Sequence, residues 1–150
     1  MRAIVQRVLK SEILVDNKII SNIDNGILIL LGVEKRDTLE DVTWLADKIG
    51  AMRIFSGKQQ KMDKSVIDIN GEVLVVSQFT LHASTKKGNR PSYLKSAAFE
   101  QALILYESFL EHISSVINKP VKSGKFGANM QVSLINDGPV TIIIDSQNKE

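Results

Sequence analysis

Hydroxyl, amide and imidazole groups crowd into one short stretch, Glu72 to His82, which reads EVLVVSQFTLH. Ser77, Gln78, Thr80 and His82 are types that can polarise a carbonyl, hold a water or attack an ester. Along an extended strand alternate residues share a face, which would put Gln78, Thr80 and His82 on one side, with Phe79 and Leu81 anchoring the other. Thr80 as nucleophile and His82 as base is then the tempting arrangement, although nothing in the sequence orients His82. The preceding run Val73-Leu74-Val75-Val76 follows Asn70-Gly71 and reads as a strand buried on both faces. Polar groups at the end of such a strand are costly unless paired or used. The stretch is therefore either a capped strand end or an active site.

Composition narrows the chemistry. The chain has 150 residues, 43% apolar and 24% charged, and is expected to form a single domain over 1–150. It has no cysteine and only two histidines, so neither thiolate chemistry nor a zinc site is expected, and no metal or other cofactor is implied. The opening MRAIVQRVLK alternates in polarity and does not resemble a signal peptide. No apolar run approaches the roughly 18 residues that span a bilayer, so a soluble, cytoplasmic protein without a membrane partner is expected. The net charge of +2 is unevenly distributed. No acid lies between Glu72 and Glu100, where Lys86, Lys87, Arg90 and Lys95 fall, nor between Glu111 and Asp137, where Lys119, Lys122 and Lys125 fall. Two such segments suit a polyanion if they lie close together, and are otherwise solvated basic loops.

These groups must be positioned by a mixed set of elements. Residues 2–9 alternate as a strand, with Arg7 oddly on the face of Ala3 and Val5. Such an arginine either sends its head to water from a sheet edge or is buried and pins a backbone carbonyl. Strands at 13–15 and 18–20 flank the turn Asp16-Asn17, and 27–33 forms another buried strand after Asp24-Asn25-Gly26. Thr38 followed by Asp41 marks a helix start. The stripe Leu39, Val42, Leu45, Ala46, Ile49 and Met52 makes 39–52 an amphipathic helix, with Trp44 off the stripe over a satellite cluster. Residues 56–64 read as a polar loop, and Gly57-Lys58 lacks the glycine spacing of a phosphate loop. After the long basic loop 83–92, the pattern is helical from Tyr93 to Ile117, lined by Phe99, Ala102, Leu103, Tyr106, Phe109, Leu110, Ile113 and Val116, with His112 exposed. Short strands follow at 121–125, 130–136 and 140–145. Locally, Asn136-Asp137-Gly138-Pro139 reads as a turn joining the last two, with the isomer of the Gly-Pro bond open. The resulting order is β-β-β-α-β-β-α-β-β-β.

Ser77-Gln78-Phe79-Thr80-Leu81, followed later by Asn136-Asp137-Gly138-Pro139-Val140-Thr141, resembles the paired motif of the D-aminoacyl-tRNA deacylases. The opening MRAIVQRV, the segment Lys87 to Tyr93 (KGNRPSY) and the run Gly124 to Met130 (GKFGANM) fit the same family, so the likeness runs from first strand to last. It implies a mixed α/β fold of three layers, β/β/α, with two mainly antiparallel sheets. It also implies a homodimeric hydrolase that cleaves the ester of D-aminoacyl-tRNA, and glycine wrongly placed on tRNA, as chiral proofreading of translation. Ser77, Gln78, Phe79 and Thr80 would form the catalytic segment. Backbone N–H groups around Phe79 and Thr80 would receive the oxyanion, and the terminal 2′-hydroxyl of tRNA would assist attack by water. Gly138 and Pro139, joined by a cis bond, would reach into the other subunit's site and reject L side chains. Arg7 would hold that element, and Met130 would support the site. Lys86, Lys87 and Arg90 are then candidates for tRNA phosphates. The competing readings are a non-catalytic nucleic-acid-binding module and a small-ester hydrolase using Thr80.

Overall fold

A computed structural model describes residues 1–57 and 61–149. Its spine is the long strand β1 (Arg2–Val15), which carries neighbours on both edges. On one edge its first half pairs with β3 (Gly26–Gly32) and its second half with β2 (Lys18–Ile23), both antiparallel. Along its other edge runs β8 (Gln131–Asp145), also antiparallel. β6 (Glu72–Ser77) lies parallel to β3, and the two-residue β7 (Lys122–Ser123) parallel to β6. Helices α1 (Leu39–Ala51) and α2 (Phe99–Ile117) supply the crossovers. A separate hairpin pairs β4 (Phe55–Ser56) with β5 (Met62–Lys64).

The sheet buries both faces, as the unbroken apolar runs of β3 and β6 require. Ile27, Ile29, Leu31, Val73 and Val75 pack with Leu45, Ile49, Phe109 and Ile113 of the helices. The alternate residues Leu28, Leu74 and Val76 pack instead against Val8, Ile13 and Ile23, joined by Met130, Val132 and Leu134. The second half of β1, β2 and the start of β8 thus curl over the face opposite the helices. Tyr106 of α2 crosses the first core to donate its hydroxyl to Val75 O at 2.9 Å, and burial raises its phenol far above the usual value.

The mixed α/β class is as expected, but several details differ. Of the two sheets, the small hairpin is antiparallel, and the six-stranded one is antiparallel around β1 but parallel from β3 through β6 to β7. Three strands, not two, separate the helices, and two follow α2. The 56–64 loop has paired ends, β4 and β5, while Lys58, including its part in the Gly57-Lys58 reading, lies outside the described residues along with 59–60. Leu39 and Phe99, assigned to buried stripes, are 60% and 59% exposed. Trp44 packs against the main core rather than a satellite, and half-buried His112 meets Asp47 at 2.8 Å. Helix α2 starts at Phe99 because backbone bonds take the preceding residues: Lys35 N donates to Lys95 O at 3.1 Å and Ala97 N to Val33 O at 3.0 Å.

Gly26 shows how closely β3 and β6 approach. A Cβ there would sit 1.9 Å from Glu72 O. Gly26→Ala is expected to lower unfolding free energy by about 2 kcal/mol or more through forced strand separation. Gly88→Ala, at φ +64° in open space, should cost about 1 kcal/mol from backbone strain alone. Urea unfolding of the two variants checks the order, and equal losses would contradict it.

Candidate active site

The parallel ladder delivers the polar stretch to the end of the sheet. Its last rung is Gln78 N–H donating to Leu31 O at 2.7 Å, and there the strand stops. Residues Phe79–His82 form a 3-10 turn instead of continuing the strand, so Gln78, Thr80 and His82 do not share a face. Gly32 permits this turn: a Cβ on it would lie 2.9 Å from Gln78 O and 3.0 Å from the His82 ring. The first N–H groups of a helical turn have no partner within it. Accordingly, neither Phe79 N–H nor Thr80 N–H donates to an acceptor among the described residues.

The side chains of the stretch divide sharply. Gln78 Nε2 donates to Thr80 Oγ1, so the Thr80 hydroxyl is paired with an amide and not with a base. His82 is only 3% exposed, turned inward with Nδ1 3.4 Å from Glu34 Oε2. Phe79, expected as an apolar anchor, is 57% exposed and meets the edge or face of Tyr93 at a centroid separation of 5.0 Å. Ser96 Oγ holds the Phe79 carbonyl at 3.0 Å, and Arg2 Nη1 holds that of Leu81 at 2.7 Å.

Opposite the turn, the chain leaves β7 with Gly124 N–H bonded to Val75 O at 3.0 Å and folds back through Phe126 to Met130. Here a Gly124 side chain would strike Met130 Sδ at 2.5 Å, and Gly127, at φ +74°, lies against Phe99. Phe126 rests on Phe99 and Tyr106 at 5.1 and 5.3 Å. Between these walls lies a cavity of about 540 Å³. Ser77, Gln78, Phe79 and Met130 all line it, over a floor of Leu31, Val76 and Tyr106. A larger hollow of about 700 Å³, between Arg2, Trp44 and Ile142–Asp145, contains none of them. Among the described residues no group of three acids or histidines is placed to hold a metal ion.

Gly138 and Pro139 do not join this cavity in their own chain; they are exposed on the far side of β1 from β3. Pairing runs Val8↔Asn136 and then Gln6↔Thr141, so Asp137 to Val140 swing out of the ladder opposite the single residue Arg7. Asn136 closes the neck, donating from Nδ2 to Arg7 O and to Val140 O, both at 2.9 Å. The bond between Gly138 and Pro139 is cis. The local turn reading is thus replaced by one strand with an excursion. Arg7 takes the buried alternative. It is 9% exposed, donates from Nη1 to Ile54 O at 2.6 Å and sets Nε 2.9 Å from Asp137 Oδ2. Gly138 has φ +113°, and a Cβ there would lie 2.7 Å from Arg7 Nη2.

Lys86, Lys87 and Arg90 are exposed on a loop pinned by reciprocal bonds between Ser84 and Ser92 at 2.8 and 2.9 Å. Two lysines of the second basic segment do not reinforce it. Lys119 bonds Asn70 O at 3.0 Å and Lys122 lies 3.4 Å from Glu72, both at the opposite end of β6 from the turn. The Asp24 N–H, with Lys122 beside it, holds the Glu72 carboxyl below its usual value.

Comparison with known proteins decides the family. The pattern of the D-Tyr-tRNA(Tyr) deacylases matches residues 4–145. The chain belongs to that family. A D-aminoacyl-tRNA deacylase of Flavobacterium psychrophilum is 55% identical over 150 residues, covering 100% of both chains. One from Akkermansia muciniphila is 54% identical over the same full length. A solved structure named c-Myc DNA Unwinding Element Binding Protein is 42% identical, with TM-score 0.92 over 97% of this chain and 98% of that one. Of the residues that the sequence singles out for the site, Ser77, Gln78, Phe79 and Met130 line the cavity; Tyr106 and Ser96, which also line it, and Glu34, which meets His82, are not among them. Tyr106 carried only a helical-core signal, and nothing local marks the other two.

Arg7→Met removes the group that joins the excursion to Ile54. Because Asp137 is 37% exposed, the loss is expected to be about 2 kcal/mol, below that of a fully buried pair. Hydrogen exchange at Gly138, Val140 and Thr141 should accelerate selectively. Unchanged exchange there would show that Arg7 does not hold the excursion.

Proposed function

We propose that this protein is a D-aminoacyl-tRNA deacylase, hydrolysing the ester that joins a D-amino acid to the 3′ end of tRNA and thereby proofreading translation. The observation that carries this reading is the cavity at the end of β6, where Ser77, Gln78 and Phe79 of the family motif face Met130 and the chain turns with the amides of Phe79 and Thr80 undonated. Full-length likeness to relatives of that name supports the activity.

Ester hydrolysis places negative charge on the carbonyl oxygen, and preorganised N–H donors are the usual means of stabilising it. Phe79 N–H and Thr80 N–H are assigned that role. Gln78 and Ser77 shape the wall, and Met130 fills the opposite side. The attacking group is water, assisted by the 2′-hydroxyl of the terminal ribose, so no protein nucleophile is needed. Direct attack by Thr80 is disfavoured, since its hydroxyl accepts from Gln78 and His82 is turned toward Glu34.

Chiral selection is assigned to Gly138 and Pro139 of a second copy, whose carbonyls would face the substrate α-carbon and leave no room for an L side chain. Because glycine carries no side chain, the same site accepts glycine on tRNA. Two observations support a homodimer. The excursion is exposed and remote from its own cavity, and β8 pairs only with β1, leaving its other edge open among the described residues. Arg7 positions the excursion. Lys86, Lys87 and Arg90 bind phosphates, the residues 1–150 act as one deacylase domain, and the setting is the cytoplasm, where charged tRNA is used.

The test is incubation with D-Tyr-tRNA and L-Tyr-tRNA. Rapid loss of the D ester alone is expected, whereas loss of neither, or of both at similar rates, refutes the assignment. Thr80→Ala is expected to keep kcat within about tenfold, while a fall on the order of a thousandfold or more would restore the side-chain nucleophile. Lys86→Ala/Lys87→Ala should weaken tRNA binding and flatten its dependence on log salt by about 0.7 per lost contact. An unchanged slope would remove these lysines from the interface.

A further inference from the structure

Outside the ester cavity, Phe79 and Tyr93 leave aromatic surface in water. They meet at an interplanar angle of 69° with centroids 5.0 Å apart, and are 57% and 41% exposed. One residue fixes both backbones: Ser96 Oγ donates to Phe79 O, and Ser96 N to Tyr93 O, each at 3.0 Å. The tether continues into the sheet through the bridge of Ser96 to Glu34. This pair is therefore a held platform and not two loose side chains. The stretch of chain that carries it has one sign of charge. Lys86, Lys87, Arg90 and Lys95 are exposed nearby in sequence, and no acid occurs between Glu72 and Glu100.

Flat aromatic faces within a basic surface bind single-stranded nucleic acid, because every base has a stacking face and every linkage a phosphate. Phe79 also lines the cavity, and it is more than half exposed beside it. A strand whose last sugar enters the cavity can run over this exposed ring. We propose that Phe79 and Tyr93 form a stacking platform for an unpaired base at the 3′ end of tRNA, with Lys86, Lys87 and Arg90 holding the adjoining phosphates. The inference rests on the deacylase reading and adds a binding contact that does not depend on charge.

Steady-state deacylation of D-Tyr-tRNA by Tyr93→Leu and Tyr93→Trp, over a range of salt, tests it. Leucine keeps apolar bulk but loses the ring; tryptophan keeps a stacking face. Tyr93→Leu should raise KM on the order of tenfold while kcat and the salt slope stay near wild type, and Tyr93→Trp should restore KM. Wild-type KM in Tyr93→Leu overturns the platform. So does a KM rise that Trp fails to rescue, or one accompanied by loss of the dimer in size-exclusion chromatography, which would assign the surface to the second copy. The Lys86→Ala/Lys87→Ala salt slope reports separately on whether the loop meets tRNA, so failure of that reading is distinguishable from failure of this one.

Discussion

The parallel pairing of β3 with β6 is the constraint on which the remaining architecture rests. Two apolar strands side by side need cover on both faces, and they receive it from the helices on one and from the curled ends of β1, β2 and β8 on the other. Glycines at both ends of β3 allow the close approach, Gly26 against Glu72 and Gly32 against the 3-10 turn. Because the strands run parallel, their carboxyl ends finish together. The ladder gives its last bond from Gln78 to Leu31, and the chain must then turn with amides left over. The candidate site lies where that remainder is left.

A second constraint acts through β1. The same strand that pairs with β3 carries Arg7, whose guanidinium links Ile54 on one side to Asp137 on the other. The sheet holds β8 along the length of β1, and the excursion from Asp137 to Val140 projects because four residues there face one. Asn136 satisfies the carbonyls that the missing rungs expose. A rigid base and a projecting tip suit an element that acts on a neighbouring molecule.

What was legible in the sequence follows from the range of each interaction. Val73 to Val76 and the helix starting after Thr38 were readable because apolar spacing and capping are local. The end of β6 was not, since Leu31 and Gly32, far away in the chain, decide where pairing stops. Alternation therefore misplaced His82 and made an anchor of Phe79. Tyr93 to Ala98 has helical spacing but bonds to Val33–Lys35 instead, a tertiary choice. The 136–139 segment was read as an ordinary turn because local chemistry cannot see that the same ladder resumes beyond it. Basic clustering was visible in composition, yet Lys119 and Lys122 fold to the wrong end of β6 to join the loop. The family resemblance compensates for part of this: it pairs Arg7 with the Gly138-Pro139 element, and the structure brings Arg7 against that excursion.

The most direct measurement is a crystal structure of the protein with a non-hydrolysable, amide-linked D-tyrosyl-adenosine. A site built from backbone predicts the aminoacyl carbonyl oxygen within about 3 Å of Phe79 N or Thr80 N, since donors at 2.7–3.1 Å define such a pocket. A carbonyl placed instead against Thr80 Oγ, with His82 swung out to meet it, would contradict that design.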